Sequence, residues 1–306
     1  MNSVLYGNSN KFLAVIAAMA LAFLFSLSLT QSASAQAASP QRRLQISPLR
    51  NEIPIRPGTV YSGLVTIKNT GLEQLSVHMS AEQFSVSNNT YDYTFNPEAQ
   101  STSWVHFPVA NFVIEAGQAE EVKYAINIPA SAEPGGVYLS LFAATSPSQN
   151  SGSIASTDRV GSLLYITVLG SISQTGSLLQ FSSSLLGMNE PRWSATVHNT
   201  GTAHFTSEYS VKLETLWGTE ISNHTGSALL LPNTIRLLQG TATKPQWLGL
   251  YVVRYNIPIG DNGIAAGTRP FIYLPLPQVA VLIALIASIS IFWRVQRKKV
   301  KTKKQQ

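Results

Sequence analysis

The sequence predicts an all-β fold of two β-sandwich domains, followed by one C-terminal transmembrane helix. From Leu44 onward, short stretches rich in β-branched and aromatic residues recur about every 8–12 residues, with Gly, Pro and Asn between them, which is typical of a sandwich. No stretch between positions 44 and 259 keeps a 3.6-residue apolar period over three turns, so this region predicts no long helix. One uncharged apolar run lies near each end of the chain.

The N-terminal apolar run has the layout of an export signal. Phe12 to Leu29 follows Lys11, and the small residues after it end in Ala33-Ser34-Ala35. This A-x-A pattern predicts a signal peptide over residues 1–35, or a cut two residues later if Ala35-Gln36-Ala37 is the site. The alternative is an anchor that is never cut, but the small residues at the end of the run favour cleavage.

The C-terminal apolar run predicts a transmembrane helix over residues 271–293, after a flexible connector over residues 260–270. The run contains no charged residue and reaches the ~20 residues that a bilayer core of ~30 Å requires. The tail over residues 294–306 is basic, and the positive-inside rule makes it cytoplasmic. Its basic residues are Arg294, Arg297, Lys298, Lys299, Lys301, Lys303 and Lys304. We therefore expect a single-pass protein of the cell membrane with an extracellular N-terminal ectodomain.

The composition excludes several classes of function. The chain has no cysteine, so it has neither disulfides nor thiolate chemistry, and an exported chain of this kind favours a bacterial source. The net charge of +6 comes from the ends: with eight of the 21 basic residues in the signal and the tail, 13 remain against 15 acidic residues. A near-neutral ectodomain without a basic cluster predicts no nucleic-acid partner.

An internal repeat indicates two domains in the ectodomain. Val65–Gly71 (VTIKNTG) is echoed by Ala195–Gly201 (ATVHNTG). We place the first domain at residues 44–170 and the second at residues 171–259. Each Asn-Thr-Gly is expected to end a strand at a tight turn, because Asn and Gly tolerate positive φ. The polar residues 146–158 are a linker or, as we favour, a long hairpin loop within the first domain.

The first domain contains a series of short motifs at predicted strand ends and turns. They are Ile46–Pro48 (ISP), Ile55–Gly58 (IRPG), Val65–Asn69 (VTIKN), Trp104–Phe107 (WVHF), Phe112–Gly117 (FVIEAG), Ile128–Pro129 and Pro134–Tyr138 (PGGVY). Together they resemble the N-terminal domain of WxL-interacting proteins, a Gram-positive surface family whose layout the whole chain shares. The resemblance implies two immunoglobulin-like domains, the first binding peptidoglycan and the second binding host or partner proteins.

The sequence contains no pattern for catalysis or metal binding. Glu120 and Glu121 are adjacent, and in a strand they point to opposite faces, so they cannot flank one substrate bond. The five histidines match no metal-ligand spacing, and no G-x-S-x-G elbow or glycine-rich phosphate loop occurs. We therefore expect no enzyme, no catalytic or metal site and no cofactor.

One segment of the first domain, between Phe84 and Trp104, alternates aromatic and polar residues. In a strand, Tyr91, Tyr93 and Phe95 would point to one side. Large aromatic residues usually belong to a core. The alternative is a platform that stacks on sugar rings, and its candidate glycan-binding residues are Tyr91, Asp92, Tyr93, Asn96 and Trp104.

These features predict a membrane-anchored cell-surface adhesion or scaffold protein. Its partners would be peptidoglycan, another cell-wall glycan or surface proteins. An exposed sheet edge offers a second way to bind, by β-addition of a partner strand. Two alternatives from other classes are an extracytoplasmic chaperone for surface-protein assembly and an accessory subunit of a membrane complex.

Overall fold

The computed structural model describes residues 44–145 and 157–303, with side chains described as far as Arg294. The predicted signal peptide, most of the predicted loop over residues 146–158 and the end of the basic tail lie outside the described residues. Within them, the chain forms two immunoglobulin-like β-sandwiches and a single C-terminal helix, which confirms the predicted fold class.

The first domain is a sandwich of two sheets. One sheet has four strands and the other has six, and a 3-10 helix over Gln100–Trp104 lies between the fifth and sixth strands. The strands are β1 (Leu44–Ser47), β2 (Arg50–Ile55), β3 (Val60–Asn69), β4 (Leu75–Val86), β5 (Tyr93–Asn96), β6 (Val105–His106), β7 (Asn111–Ile114), β8 (Ala119–Asn127), β9 (Gly135–Thr145) and β10 (Arg159–Val168).

The chain enters both sheets of the first domain within its first dozen described residues. The four-stranded sheet has the order β1-β3-β8-β6, and the six-stranded sheet has the order β2-β10-β9-β4-β5, with β7 also paired to β4. Between β1 and β2 the backbone changes sheet at the cis peptide Ser47–Pro48. The core between the sheets is apolar, with Leu139 and Leu141 of β9 facing Val65 and Ile67 of β3, all nearly inaccessible to solvent.

The second domain is also a sandwich, with one sheet of three strands and another of five. Its core includes Phe181, Trp193, Leu213 and Phe271. The strands are β11 (Gly176–Ser183), β12 (Leu186–Gly187), β13 (Arg192–Asn199), β14 (Phe205–Thr215), β15 (Glu220–Leu230), β16 (Ile235–Thr241), β17 (Gly249–Pro258) and β18 (Ile264–Tyr273). One sheet has the order β11-β13-β16 and the other has the order β12-β18-β17-β14-β15.

The predicted connector over residues 260–270 and the predicted start of the membrane helix at residue 271 were wrong. Ile264–Tyr273 is β18, which pairs with β17 along its whole length, so the second domain extends to Tyr273 rather than to residue 259. Phe271 and Tyr273 are buried in its core instead of lying at a membrane interface. The helix α1 spans Leu276–Lys303. Its stretch Leu276–Arg294 is 19 residues long, has a mean hydropathy of 2.1 and is apolar enough to cross a bilayer.

The repeated Asn-Thr-Gly motif ends β3 and β13 and has the same role in both domains. Asn69 and Asn199 are fully buried. The Asn69 side chain donates to Glu73 O (2.7 Å) and Ile114 O (3.0 Å), while the Asn199 side chain donates to Ala203 O (3.0 Å) and Leu230 O (2.9 Å). The motif is therefore explained by a buried amide that joins neighbouring segments, and neither asparagine has a positive φ.

The two domains meet at a domain junction that includes main-chain hydrogen bonds. Asn89 N donates to Ile235 O (2.8 Å), and Gly136 N donates to Thr202 O (2.9 Å). An apolar cluster spans the same boundary, with three aromatic side chains from the first domain and two leucines from the second. Its buried members are Phe84, Tyr138, Tyr165, Leu229 and Leu231.

Candidate functional site: an open strand edge and an aromatic strip

One part of β10 lacks a neighbouring strand on one side. β9 pairs with β10 along its whole length, but on the opposite side β2 begins to pair only at Leu163. Leu163 N donates to Leu49 O (2.9 Å) and Leu169 N donates to Ile55 O (2.8 Å), so odd-numbered residues direct their N–H and C=O groups to the β2 side. In the part of the chain that the structure describes, no strand pairs with Arg159 or Gly161 on that side. We call Arg159–Ser162 the open edge.

The open edge exists because β2 starts late. Ser162 Oγ donates to Pro48 O (2.6 Å), which fixes the point where the chain crosses from one sheet to the other. The preceding strand, β1, belongs to the four-stranded sheet, where it pairs with β3, and so cannot pair with the open edge. The side chain of Leu49, 69% exposed, lies beside the end of the open edge.

A series of aromatic rings runs from the open edge across the outer face of the six-stranded sheet. The Arg159 guanidinium lies 3.4 Å from the centroid of the Phe142 ring. Phe95 meets Phe142 edge-to-face at 4.9 Å, and Tyr93 stacks on Phe95 with 12° between the ring planes. We call Phe142, Phe95 and Tyr93 the aromatic strip. Phe142 is buried, whereas Phe95 and Tyr93 are 36% and 46% exposed, so the strip opens toward solvent at β5.

A buried polar atom lies beside the open edge. Ser140 Oγ is inaccessible to solvent and has no hydrogen-bond partner among the described residues. It lies beside Gly161, where a Cβ atom would stand 3.0 Å from Ser140 Oγ and 2.8 Å from Phe142 Cε1. A buried unpaired hydroxyl costs roughly 1–3 kcal/mol. Glycine is required at position 161 because the Phe142 ring occupies the space of a side chain.

The charges on this face are already paired. Arg159 forms an ion pair with Glu82, and Arg50 forms one with Glu52 while its guanidinium lies 4.5 Å from the Tyr165 ring centroid. Each arginine is therefore neutralised by its own neighbour. The face is suited to main-chain and aromatic contacts more than to capture of a highly charged ligand.

The end of this face nearest the second domain is closed by the domain junction. Tyr138 Oη and His204 Nδ1 lie 3.2 Å apart, and burial raises the pKa of both Tyr138 and Tyr165. Burial also lowers the pKa of His204, so its imidazole is neutral at pH 7. Among residues 44–145 and 157–303, no group of three or more His, Asp or Glu side chains is placed to hold a metal ion.

The structure separates the residues that the sequence predicted to form one platform. Tyr91 precedes β5 and has a φ of 62°, so its ring does not share the face of Tyr93 and Phe95 as predicted. It lies at the domain junction, where its hydroxyl accepts a hydrogen bond from Leu231 N (2.7 Å) and its ring packs against the Arg236 guanidinium. Tyr91 is thus a junction residue.

The other predicted residues are also dispersed. Asp92 is exposed, and its main chain bonds to Ser87 within the turn before β5. The Asn96 side chain accepts from Glu98 N (3.1 Å). Trp104 ends the 3-10 helix and packs against the core of the first domain. Of the five candidates, only Tyr93 belongs to the aromatic strip.

Sequence reasoning missed Phe142, Arg159 and Gly161. Phe142 lies in an apolar stretch whose pattern predicts a strand and Arg159 comes just before the next such stretch, but strand pairing gives both residues their role. Gly161 carried a signal, because a glycine inside a strand pattern often marks a close approach of another group.

No family model and no curated protein sequence matches the chain. Several solved structures match it at low identity. They include the class 5 fimbriae chaperone CfaA (9% identity, 76% of this chain and 100% of that chain, TM-score 0.41), the E. coli chaperone DraB (10%, 76% and 97%, 0.36) and the Pseudomonas aeruginosa CupB2 chaperone (14%, 74% and 100%, 0.36). At these TM-scores the likeness carries no argument about function.

Proposed function

We propose that this protein is a membrane-anchored extracytoplasmic binding protein that holds an extended segment of a surface protein, as a chaperone or scaffold does. The observation that carries the proposal is the open edge, Arg159–Ser162, with the aromatic strip beside it. A partner strand would pair with β10 in line with β2, as in other complexes formed by β-addition.

The energetics require both parts of the site. The open edge offers the N–H and C=O groups of Arg159 and Gly161, and four main-chain hydrogen bonds at ~0.5–1.5 kcal/mol each contribute about 2–6 kcal/mol. Micromolar affinity needs ~8 kcal/mol, so main-chain pairing alone is too weak. Side chains of the partner that contact the Phe142 ring, which lies over Gly161 of β10, would supply the remainder, which favours partner segments with alternating apolar residues.

The anchor in this proposal is α1. Its apolar stretch is long enough to span a bilayer, and the basic residues after Trp293 support a cytoplasmic C-terminus. With the predicted signal peptide, both sandwiches would lie outside the cytoplasm in this proposal. Membership of the WxL-interacting family is part of the same proposal and is supported by the motifs of the first domain.

A photo-crosslinking amino acid at Leu49 tests the proposal in intact cells. Leu49 is exposed beside the open edge, whereas Leu72, 94% exposed in the turn before β4, is a matched control because β9 separates β4 from β10. We expect the Leu49 probe, but not the Leu72 probe, to give an adduct with an exported protein, joined through an extended segment of that protein. Equal adducts from both positions, or none from Leu49, would contradict the proposal.

Glycan binding is a second candidate, favoured by the parallel, half-exposed rings of Tyr93 and Phe95. Parallel aromatic rings of this kind can stack on a sugar, and Asp92 and Asn96 are close in sequence to supply polar groups. Tyr93→Ala should then abolish pull-down by purified peptidoglycan, while Arg159→Pro should leave it unchanged. The opposite pattern, or unchanged binding in both variants, would reject this candidate.

A further inference from the structure

The end of the second domain nearest α1 carries exposed apolar side chains on three separate loops. The segment between β11 and β13 contributes Leu185 and Leu186. The turn between β14 and β15 contributes Leu216 and Trp217, and the latter is 89% exposed. The segment from β16 into β17 contributes Trp247, 67% exposed, and Leu250. Exposed apolar groups clustered in this way mark an interaction surface.

Strand register places these three loops at one end of the domain. Leu186 is paired with Ile272, just before β18 ends at Tyr273. Gly249 is paired with Tyr273, and Thr215, which precedes Leu216, is paired with Tyr251. All three loops therefore lie where β18 ends, and only Leu274 and Pro275 separate that end from the start of α1 at Leu276.

Hydrogen bonds fix the loops against the start of the helix. Gln278, in the first turn of α1, accepts from Leu248 N (2.6 Å) and donates to Gln246 O (2.9 Å). On the other side, Leu274 N donates to Gly187 O (3.0 Å). The apolar side chains are thus held at the level at which the apolar helix begins.

The chemistry of the surface matches a bilayer interface. Tryptophan concentrates at the boundary between headgroups and acyl chains, because its ring is apolar and its N–H is polar. Two basic residues, Arg192 at the start of β13 and Lys244 after β16, are exposed at the same end of the domain. A hydrogen bond from Ala242 N to Pro191 O (2.9 Å) joins the two segments that carry them. Basic side chains beside an apolar surface favour phosphate headgroups, although Glu190 on the same segment partly offsets their charge.

We propose that Leu185, Leu186, Leu216, Trp217, Trp247 and Leu250 form a bilayer seat, which inserts into the outer headgroup–acyl boundary of the membrane that α1 spans. This inference rests on the membrane anchoring in the proposed function, and does not depend on partner capture. The seat holds the second domain directly on the lipid surface, where the sequence alone had predicted a flexible connector.

Spin labelling of the full chain tests the seat, and the absence of cysteine means that no background thiol must be removed. Leu216→Cys and Leu250→Cys place nitroxides on the seat. Ile283→Cys reports on α1, and Leu72→Cys reports on the end of the first domain far from the junction. The labelled chains are placed in nanodiscs of phosphatidylcholine and phosphatidylglycerol. Collision rates are then measured with oxygen, which partitions into lipid, and with a water-soluble nickel complex.

We expect labels at Leu216 and Leu250 to collide more with oxygen than with nickel, as at Ile283, and the label at Leu72 to show the reverse. The double variant Trp217→Ala/Trp247→Ala should shift the Leu216 label toward nickel. If the Leu216 and Leu250 labels match Leu72 while Ile283 stays in lipid, the seat is overturned and the anchor stands. If Ile283 also matches Leu72, the anchor fails and the seat with it. An unchanged Leu216 label in the double variant would overturn the role of the tryptophans.

Discussion

Replacing Asn199 by alanine should destabilise the second domain strongly. The change removes two donated hydrogen bonds, to Ala203 O and Leu230 O, from a fully buried site. It also removes the bond from Gly201 N to Asn199 Oδ1, but that N–H still donates to Thr175 O (3.0 Å). Two buried carbonyls that lose a partner at ~1–3 kcal/mol each give an expected loss of about 2–6 kcal/mol.

Urea unfolding of the ectodomain, residues 36–275, followed by tryptophan fluorescence measures this loss. Since domains are stable by only ~5–15 kcal/mol, the midpoint of the second domain should fall clearly. Asn223→Ala is the matched control, because Asn223 is exposed on β15 and its replacement should change stability by less than ~0.5 kcal/mol. A loss in Asn199→Ala as small as that of the control would refute the reasoning.

The same argument applies to the repeat in the first domain. Asn69→Ala removes bonds to Glu73 O and Ile114 O from an equally buried site. A comparable loss of about 2–6 kcal/mol is expected there, in the transition of the first domain. If only one of the two replacements lowered the stability of its domain, the repeat would not have the same structural role in both domains.

Two further predictions concern the domain junction. Tyr91→Phe leaves Leu231 N without its partner and should weaken the junction by about 1–3 kcal/mol, seen as separate unfolding transitions for the two domains; a single transition with an unchanged midpoint would contradict this. Because burial lowers the pKa of His204 below its ordinary 6.5, its contribution to stability is fully present above pH 6.5 and is lost as the pH falls. The urea midpoint should therefore drop as the pH falls below 6.5, and His204→Gln should remove that part of the drop; an equal drop in the variant would exclude His204 as its cause.

The spacing of apolar residues along the sequence was sufficient to predict the two β-sandwiches. In β8, Val122, Tyr124 and Ile126 are buried and the residues between them are more exposed, which is the period-2 alternation of a strand with one covered face. β9 is buried on nearly every position, as its continuous apolar run indicates. The repeated Asn-Thr-Gly also marked equivalent positions in the two domains, although for a different physical reason from the one predicted.

Local pattern was insufficient where small residues hide the alternation. β18 begins Ile264-Ala265-Ala266-Gly267, which lacks the large β-branched and aromatic residues that usually reveal a strand. Only Phe271 and Tyr273 alternate visibly, and their closeness to the apolar helix made them look like part of the membrane span. Pairing with β17 decides the assignment, and pairing between distant segments cannot be read from either segment alone.

The candidate site depends on the same kind of non-local information. Tyr91 was assigned to one face by alternation, but the left-handed residues Asn89 and Tyr91 redirect the chain before β5 begins. The open edge arises because β2 joins β10 only from Leu163, which is a matter of register between segments more than a hundred residues apart. The alternation of aromatic residues therefore identified two members of the aromatic strip, Tyr93 and Phe95, but not Phe142.

The most direct test of partner capture compares two substitutions at one position of the open edge. Arg159 directs its N–H away from β9, so Arg159→Pro removes that donor without breaking a bond to β9, while Arg159→Ala removes the side chain and keeps the N–H. The measurement is the yield of the surface-protein adduct from the Leu49 photo-crosslinker in intact cells. We expect Arg159→Pro to abolish the adduct and Arg159→Ala to retain most of it. Equal yields from the two variants would contradict capture by strand addition.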